Sequence, residues 1–151
     1  MKNFSDLLDT DIQLSVAVTV SPVADNGMPT AQIRINNHTW YYNALAATTT
    51  VTCQIPLLDP VVIEIGLSNK LYDQFKETAI IIDSVCIDDF EIVPNFTHLA
   101  YYQNERNVDG PTAYMGFNGT WKLSILDPFY QWHHAVTGQG WLLKPVVNLP
   151  Q

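Results

Sequence analysis

Residues 61–93, VVIEIGLSNKLYDQFKETAIIIDSVCIDDFEIV, decide the fold. Val61, Ile63, Ile65 and Leu67 alternate with Val62, Glu64 and Gly66, and a polar loop then leads into a second alternating run. In that run Ile81, Asp83, Val85 and Ile87 fall on one face and Ile80, Ile82, Ser84 and Cys86 on the other. A period of two marks a sheet with at least one buried face, because successive side chains of a strand point to opposite sides. The stretch reads as a strand, a polar loop, a long strand and a short return strand.

Toward the N-terminus the same period recurs. Gln13 to Val20 sets Leu14, Val16, Val18 and Val20 against Gln13, Ser15, Ala17 and Thr19. Ser21-Pro22, Asp25-Asn26-Gly27 and Pro29 then break the run with turn chemistry. Thr30 to Asn36 directs Ile33 and Ile35 inward, and Asn36-Asn37 makes a hairpin turn into His38 to Asn43. Thr48 to Ile55 alternates Val51, Cys53 and Ile55 with Thr50, Thr52 and Gln54. A short helical turn capped by Ser5 or Asp6 is expected within Met1 to Thr10.

Toward the C-terminus, Pro94 to Gly119 has little apolar periodicity and reads as a long loop. Gly119 to Ile125 restores alternation through Trp121, Leu123 and Ile125. Asp127-Pro128 opens a helical turn over FYQWHHA, with Asp as cap and Pro at the first position. Trp141 to Lys144 reads as a last strand. Eight to nine short strands, one helical turn and Pro or Gly at most junctions predict an all-β jelly roll or β-sandwich. With 151 residues the chain is expected to be a single domain, with 1–10 and 145–151 as terminal arms.

Composition narrows the function. Seven Lys and Arg against fifteen Asp and Glu give a net charge of −8. Nucleic-acid phosphates and anionic membrane surfaces are disfavoured partners, and no basic run offsets this. No segment approaches the ~18–20 apolar residues of a membrane helix. The opening MKNFSDLLDTDIQL lacks the basic start and apolar run of a secretory signal, which predicts a cytosolic product. Charged residues are only 15% of the chain, so uncharged surface is available to a partner or is coated by Thr, Asn, Gln and Ser. Cys53 and Cys86 each lie in an apolar run and read as buried thiols, a disulfide being undecided by sequence.

No catalytic motif stands out. There is no nucleophile on a sharp glycine turn, and no pair of carboxylates is singled out for glycoside hydrolysis. The neighbours His133 and His134 diverge by about 100° on a helix, which is a poor geometry for one metal ion. Asp73, Glu77, Asp83, Asp88, Asp89 and Glu91 bracket the long strand. Clustered carboxylates suit calcium, but solvated loop acids are the other reading, and no EF-hand pattern is present. Asp83 lies among apolar neighbours and is expected to accept hydrogen bonds there. The aromatics are more informative. Trp40 and Tyr42 share a face of their strand if it is regular, and Tyr101-Tyr102 stands among polar residues. Exposed Trp and Tyr stack on sugar rings or anchor interfaces. Trp121, Trp132 and Trp141 are assigned to the core.

The run Ala79 to Asp89, AIIIDSVCIDD, resembles the strand of jelly-roll carbohydrate-binding modules, notably the small calcium-dependent xylan-binding type. Ser68-Asn69-Lys70 and Lys76-Glu77-Thr78 stand where that family carries its Asn-Asp and Asp-Arg-Asn signatures, in altered form. The resemblance implies a jelly roll, a glycan ligand and a possible Ca2+ site drawn from Asn69, Asp73, Glu77, Asp83 and Asp89. Trp40, Tyr42, Tyr101 and Tyr102 would then supply stacking or interface surface. The C-terminal PFYQWHHAVTGQGWLLKP also resembles short virion-associated proteins of tailed phages. That resemblance implies a non-enzymatic part of a virion, in a fibre, baseplate or capsid decoration. Its partners would be other virion proteins, copies of itself or a surface glycan. A stand-alone carbohydrate-binding module and a small glycan-active enzyme remain as alternatives.

Overall fold

A computed structural model describes residues 13–108 and 112–137. The expected N-terminal turn and the expected strand Trp141 to Lys144 lie outside the described residues. Ten antiparallel strands form two five-stranded sheets, a β-sandwich. In the first sheet the order is β4 (Thr49–Pro56), β1 (Gln13–Ala24), β6 (Thr78–Ile87), β7 (Phe90–Val93), and β9 (Tyr114–Met115) also pairs with β6. The second runs β3 (His38–Ala44), β2 (Thr30–Ile35), β5 (Val61–Leu67), β10 (Gly119–Ile125), β8 (Ala100–Asn104).

The inward faces carry the expected rows. Leu14, Val16, Val18 and Val20 of β1 meet Ile63, Ile65 and Leu67 of β5 in one core with Ile33, Ile35, Trp121 and Leu123. Each large side chain so buried contributes about 1.5–3 kcal/mol by leaving water. Trp121 is fully buried, and its indole N–H donates to the Thr112 carbonyl at 2.7 Å, which satisfies its one polar atom. Cys53 pairs with Val16 on the inner face of the first sheet, whereas Cys86 pairs with the next residue, Ala17. Neighbouring positions on a strand face opposite ways, so the two thiols stay free. Burial raises the pKa of both.

Three expectations need correction. The long strand does not keep one face. Thr19 pairs with Ser84 and Val20 with Ile82, so Asp83 is the extra residue of a bulge. The bulge reverses the alternation, and Ile80, Ile82, Val85 and Ile87 all point inward while Asp83 is exposed. Asp83 accepts the Ser21 hydroxyl, a hydrogen bond of the expected kind made at the surface. Second, β1 runs on through Ser21-Pro22. Its pairing with β4 ends at Val20, so the proline sits where one side of β1 no longer has a partner strand. Third, 94–119 is not a single loop. It holds a 3-10 turn at Thr97–Leu99 and the strands β8 and β9. Ala100, Tyr102 and Asn104 are the inward positions of β8, a small, a polar-aromatic and a polar residue that apolar periodicity passes over.

Two hairpins are closed by two-residue turns with positive φ at both positions, Asn36-Asn37 between β2 and β3 and Asp88-Asp89 between β6 and β7. Asn and Asp tolerate this left-handed backbone better than most residues. The helix α1 (Phe129–Thr137) closes one end of the core. Phe129 is buried, His133 packs edge-on to Phe90 at 4.0 Å, and the Tyr130 hydroxyl donates to Asp88 at 2.9 Å. No helix among the described residues is long and apolar enough to cross a membrane.

Candidate functional site

The strand β3 lies at the edge of the second sheet and departs from regular pairing at Trp40. Ile33 pairs with Tyr41 and Arg34 with Thr39, so Trp40 has no residue opposite it on β2. A bulge on an edge strand bends the strand and re-aims the extra side chain. Trp40 is accordingly 47% exposed, a large apolar ring presented at the sheet edge.

The ring borders an open cleft of about 570 Å3, within the ~300–1,000 Å3 of ordinary ligand clefts. The cleft lies between β3 at the edge of one sheet and β4 at the edge of the other. His38, Thr39 and Trp40 form one wall, and Gln54, Pro56 and Asp59 the other. Ile35 and Ile55, both buried, face it from the core, and Asn36 lines it from the hairpin tip. Asn36 is structural there. Its side-chain amide donates to the Pro60 carbonyl at 2.8 Å, and its side-chain oxygen accepts the Val62 N–H at 2.8 Å. These bonds staple the β2–β3 turn to the entry of β5 and fix the cleft width. Donors and acceptors beside one aromatic face suit a neutral polyhydroxylated ligand. The described lining has one carboxylate, Asp59, and no Lys or Arg.

The other expected aromatics do not join this cleft. Tyr42 is exposed on β3 beside Gln32, and Tyr101 is exposed on β8 beside Lys122. They stand on opposite edges of a five-stranded sheet, about 19 Å apart at ordinary strand spacing. Tyr102 is buried, 7% exposed, so it is no stacking platform. Its hydroxyl accepts the Phe117 N–H at 2.9 Å and donates to the Phe117 carbonyl. Burial first of all pushes the Tyr102 hydroxyl up to about 12.

The five residues expected to hold a cation are likewise spent separately. Asn69 accepts the Thr30 N–H at 2.6 Å and donates to the Met28 carbonyl at 3.0 Å. Asp73 caps its own loop through the N–H groups of Phe75 and Lys76. Glu77 pairs with Lys70 and accepts the Tyr114 hydroxyl at 2.8 Å. Asp83 accepts Ser21 on the first sheet, and Asp89 sits in the left-handed β6–β7 turn. Among the described residues no three His, Cys, Asp or Glu side chains form a group that could hold a metal ion.

Of the residues lining this cleft, sequence reasoning names Trp40, but not His38, Thr39, Gln54 or Asp59, among its candidate binding residues. The available signal was position. These residues flank two turns, Asn36-Asn37 and the segment 56–60, and β3 has polar residues where a core strand would be apolar.

No protein-family model matches the chain, and no curated protein matches it. Solved structures do match. The selenomethionine form of vCBM60, from work linking two families of calcium-dependent carbohydrate-binding modules by circular permutation, superposes with a TM-score of 0.50 at 14% identity. It covers 73% of this chain and 89% of that one. vCBM60 in complex with galactobiose gives 0.51 at 12% identity, over 74% and 99%. The fold is carbohydrate-binding-module-like. At this identity the likeness is one of fold, and the residues here do not reproduce a calcium site from the expected donors. Asn69, Asp73 and Glu77 have other partners, and Asp83 and Asp89 belong to separate strands and turns.

Proposed function

We propose that this chain is a non-catalytic carbohydrate-binding module that takes a neutral glycan in the Trp40 cleft. The observation that carries the reading is the bulge at Trp40, which presents an indole face beside His38, Thr39, Gln54 and Asp59. Sugar C–H faces stack on such a ring, and the polar neighbours can exchange hydrogen bonds with ring hydroxyls. The fold supports the reading, since a structure of similar fold is a complex with galactobiose. A single carboxylate in the lining favours binding over hydrolysis, which ordinarily needs two flanking the scissile bond.

The test is a glycan array followed by affinity electrophoresis of the best ligand with Trp40→Ala. Retention falls at least about tenfold, equivalent to ~1.4 kcal/mol, while the melting temperature stays near wild type because the ring is half exposed. Retention that survives Trp40→Ala and is lost in Tyr42→Ala or Tyr101→Ala moves the site to the outer sheet face and overturns the cleft assignment.

A second reading, a non-catalytic part of a larger assembly that joins copies of itself or other proteins, has one supporting observation. The β5–β6 loop holds Leu71 and Phe75 in solvent, Phe75 at 85% exposure. Light scattering that finds a defined oligomer, broken up by Phe75→Ser, supports assembly. A monomer that binds glycan supports the first reading alone.

A further inference from the structure

Lys70 is 8% exposed, and lysine is almost never so buried without a partner. Its ammonium donates to the Glu77 carboxylate and to the Gly116 carbonyl at 2.5 Å. It lies 5.3 Å from the centre of the Tyr72 ring and 5.8 Å from that of Phe117, within cation–π range of both. The backbone of Lys70 is held as well. Its N–H donates to the Asn118 side chain at 2.8 Å, and its carbonyl accepts from the same amide at 3.1 Å. These contacts bind the β5–β6 loop, 68–77, to the segment 116–118 that leads into β10.

A carboxylate oxygen and a backbone carbonyl converging on one cationic centre are donors of the kind a calcium ion takes. Here that centre is already an ammonium, and a dication brought to the same oxygens would meet a like charge at close range. A structure of similar fold comes from work on calcium-dependent modules, whereas in this chain the two oxygens already have a side-chain cation.

We infer that the Lys70 ammonium is the resident cation at this end of the sandwich. It sets the loop 68–77 against 116–118, and the protein holds this end in shape without calcium. The inference concerns the loop end and stands whether or not the Trp40 cleft takes a glycan.

The experiment uses the full chain with calcium chloride or a chelator as the probe. The wild-type melting temperature is the same in both, and amide hydrogen exchange in 68–77 and 116–118 does not respond to calcium. Lys70→Met keeps the apolar stem and removes the charge, and exchange in both segments becomes at least about tenfold faster. If Lys70→Met does not fold, Glu77→Gln, which leaves Lys70 opposite a neutral amide, is measured instead against the same criteria. Calcium that raises the wild-type melting temperature by several degrees, or slows exchange in these segments, overturns the inference. So does a charge-removing variant whose exchange in them equals that of wild type.

Discussion

Glu77 was expected among the ligands of a cation, and it does hold one, the cation being the Lys70 ammonium. Burial pushes its carboxyl up, but the hydrogen bonds from Lys70 and Tyr114 and the charge of Lys70 pull harder, so it sits below the ordinary 4.5. A carboxyl whose pKa falls on folding stabilises the native state above its unfolded pKa. That contribution fades as pH drops through the folded value. The charged and titratable groups facing it are Lys70 and Tyr114. Denaturant unfolding of wild type and Glu77→Gln between pH 7 and pH 3 should show the widest gap above about pH 4.5, closing as the solution becomes more acidic. A gap that stays constant over the range would mean that the ionised carboxylate is not what the pair depends on. Tyr102 carries the opposite lesson. Its neighbours Tyr101 and Gln103 are polar and outward, and sequence alone could not tell that the next residue turns inward to bind the Phe117 backbone. That bond spans 15 positions, and its partner is a main-chain group with no sequence signature.

Among the elements, the strands that match their pattern are those whose pairing is regular. β4, β5 and β10 bury the residues that alternation names, because an unbroken ladder carries one face from end to end, and β1 does so from Leu14 to Val20, where its ladder with β4 is regular and the extra residue of its bulged pairing with β6 lies on β6. The misread strands are irregular or polar within. β6 changes face at Asp83, and β8 buries Asn104, whose amide is satisfied by the backbone of Tyr102, Arg106 and Val108. A buried polar residue with all its bonds made costs little, so the fold tolerates what periodicity does not register. The same strand constrains its neighbour. A Cβ at Gly119 would lie 2.2 Å from the Gln103 carbonyl oxygen and 2.7 Å from the Asn104 Cα, both backbone atoms that cannot swing aside. Gly119→Ala should therefore force β8 from β10 and cost at least about 1–3 kcal/mol, the range for overpacking. Chemical denaturation measures this directly. Gly66 is the control, since a Cβ there meets nothing nearer than 3.8 Å, and Gly66→Ala should cost less.

At the scale of the whole molecule, β5 joins the two regions of interest. Its first residues are stapled to Asn36 beside the Trp40 cleft, and its last lead into Asn69 and Lys70. Seven residues at about 3.4 Å each put those ends roughly 20 Å apart. Sites so separated, with no shared partner, normally contribute independently, their effects adding to within ~0.5 kcal/mol. The net charge of −8 adds no long-range coupling in ordinary salt, where screening acts over ~8 Å. Lys70→Met should thus loosen the loop end yet leave glycan retention within about twofold of wild type, a change of ~0.4 kcal/mol. Trp40→Ala should do the reverse, and the double variant should show both effects at their single-variant sizes. Affinity electrophoresis and hydrogen exchange on the four proteins make the comparison. If Lys70→Met alone removes retention, the glycan contacts the loop end, and the cleft beside Trp40 is not where it binds. If both variants weaken retention but less than additively, the two ends are energetically coupled and their independence fails.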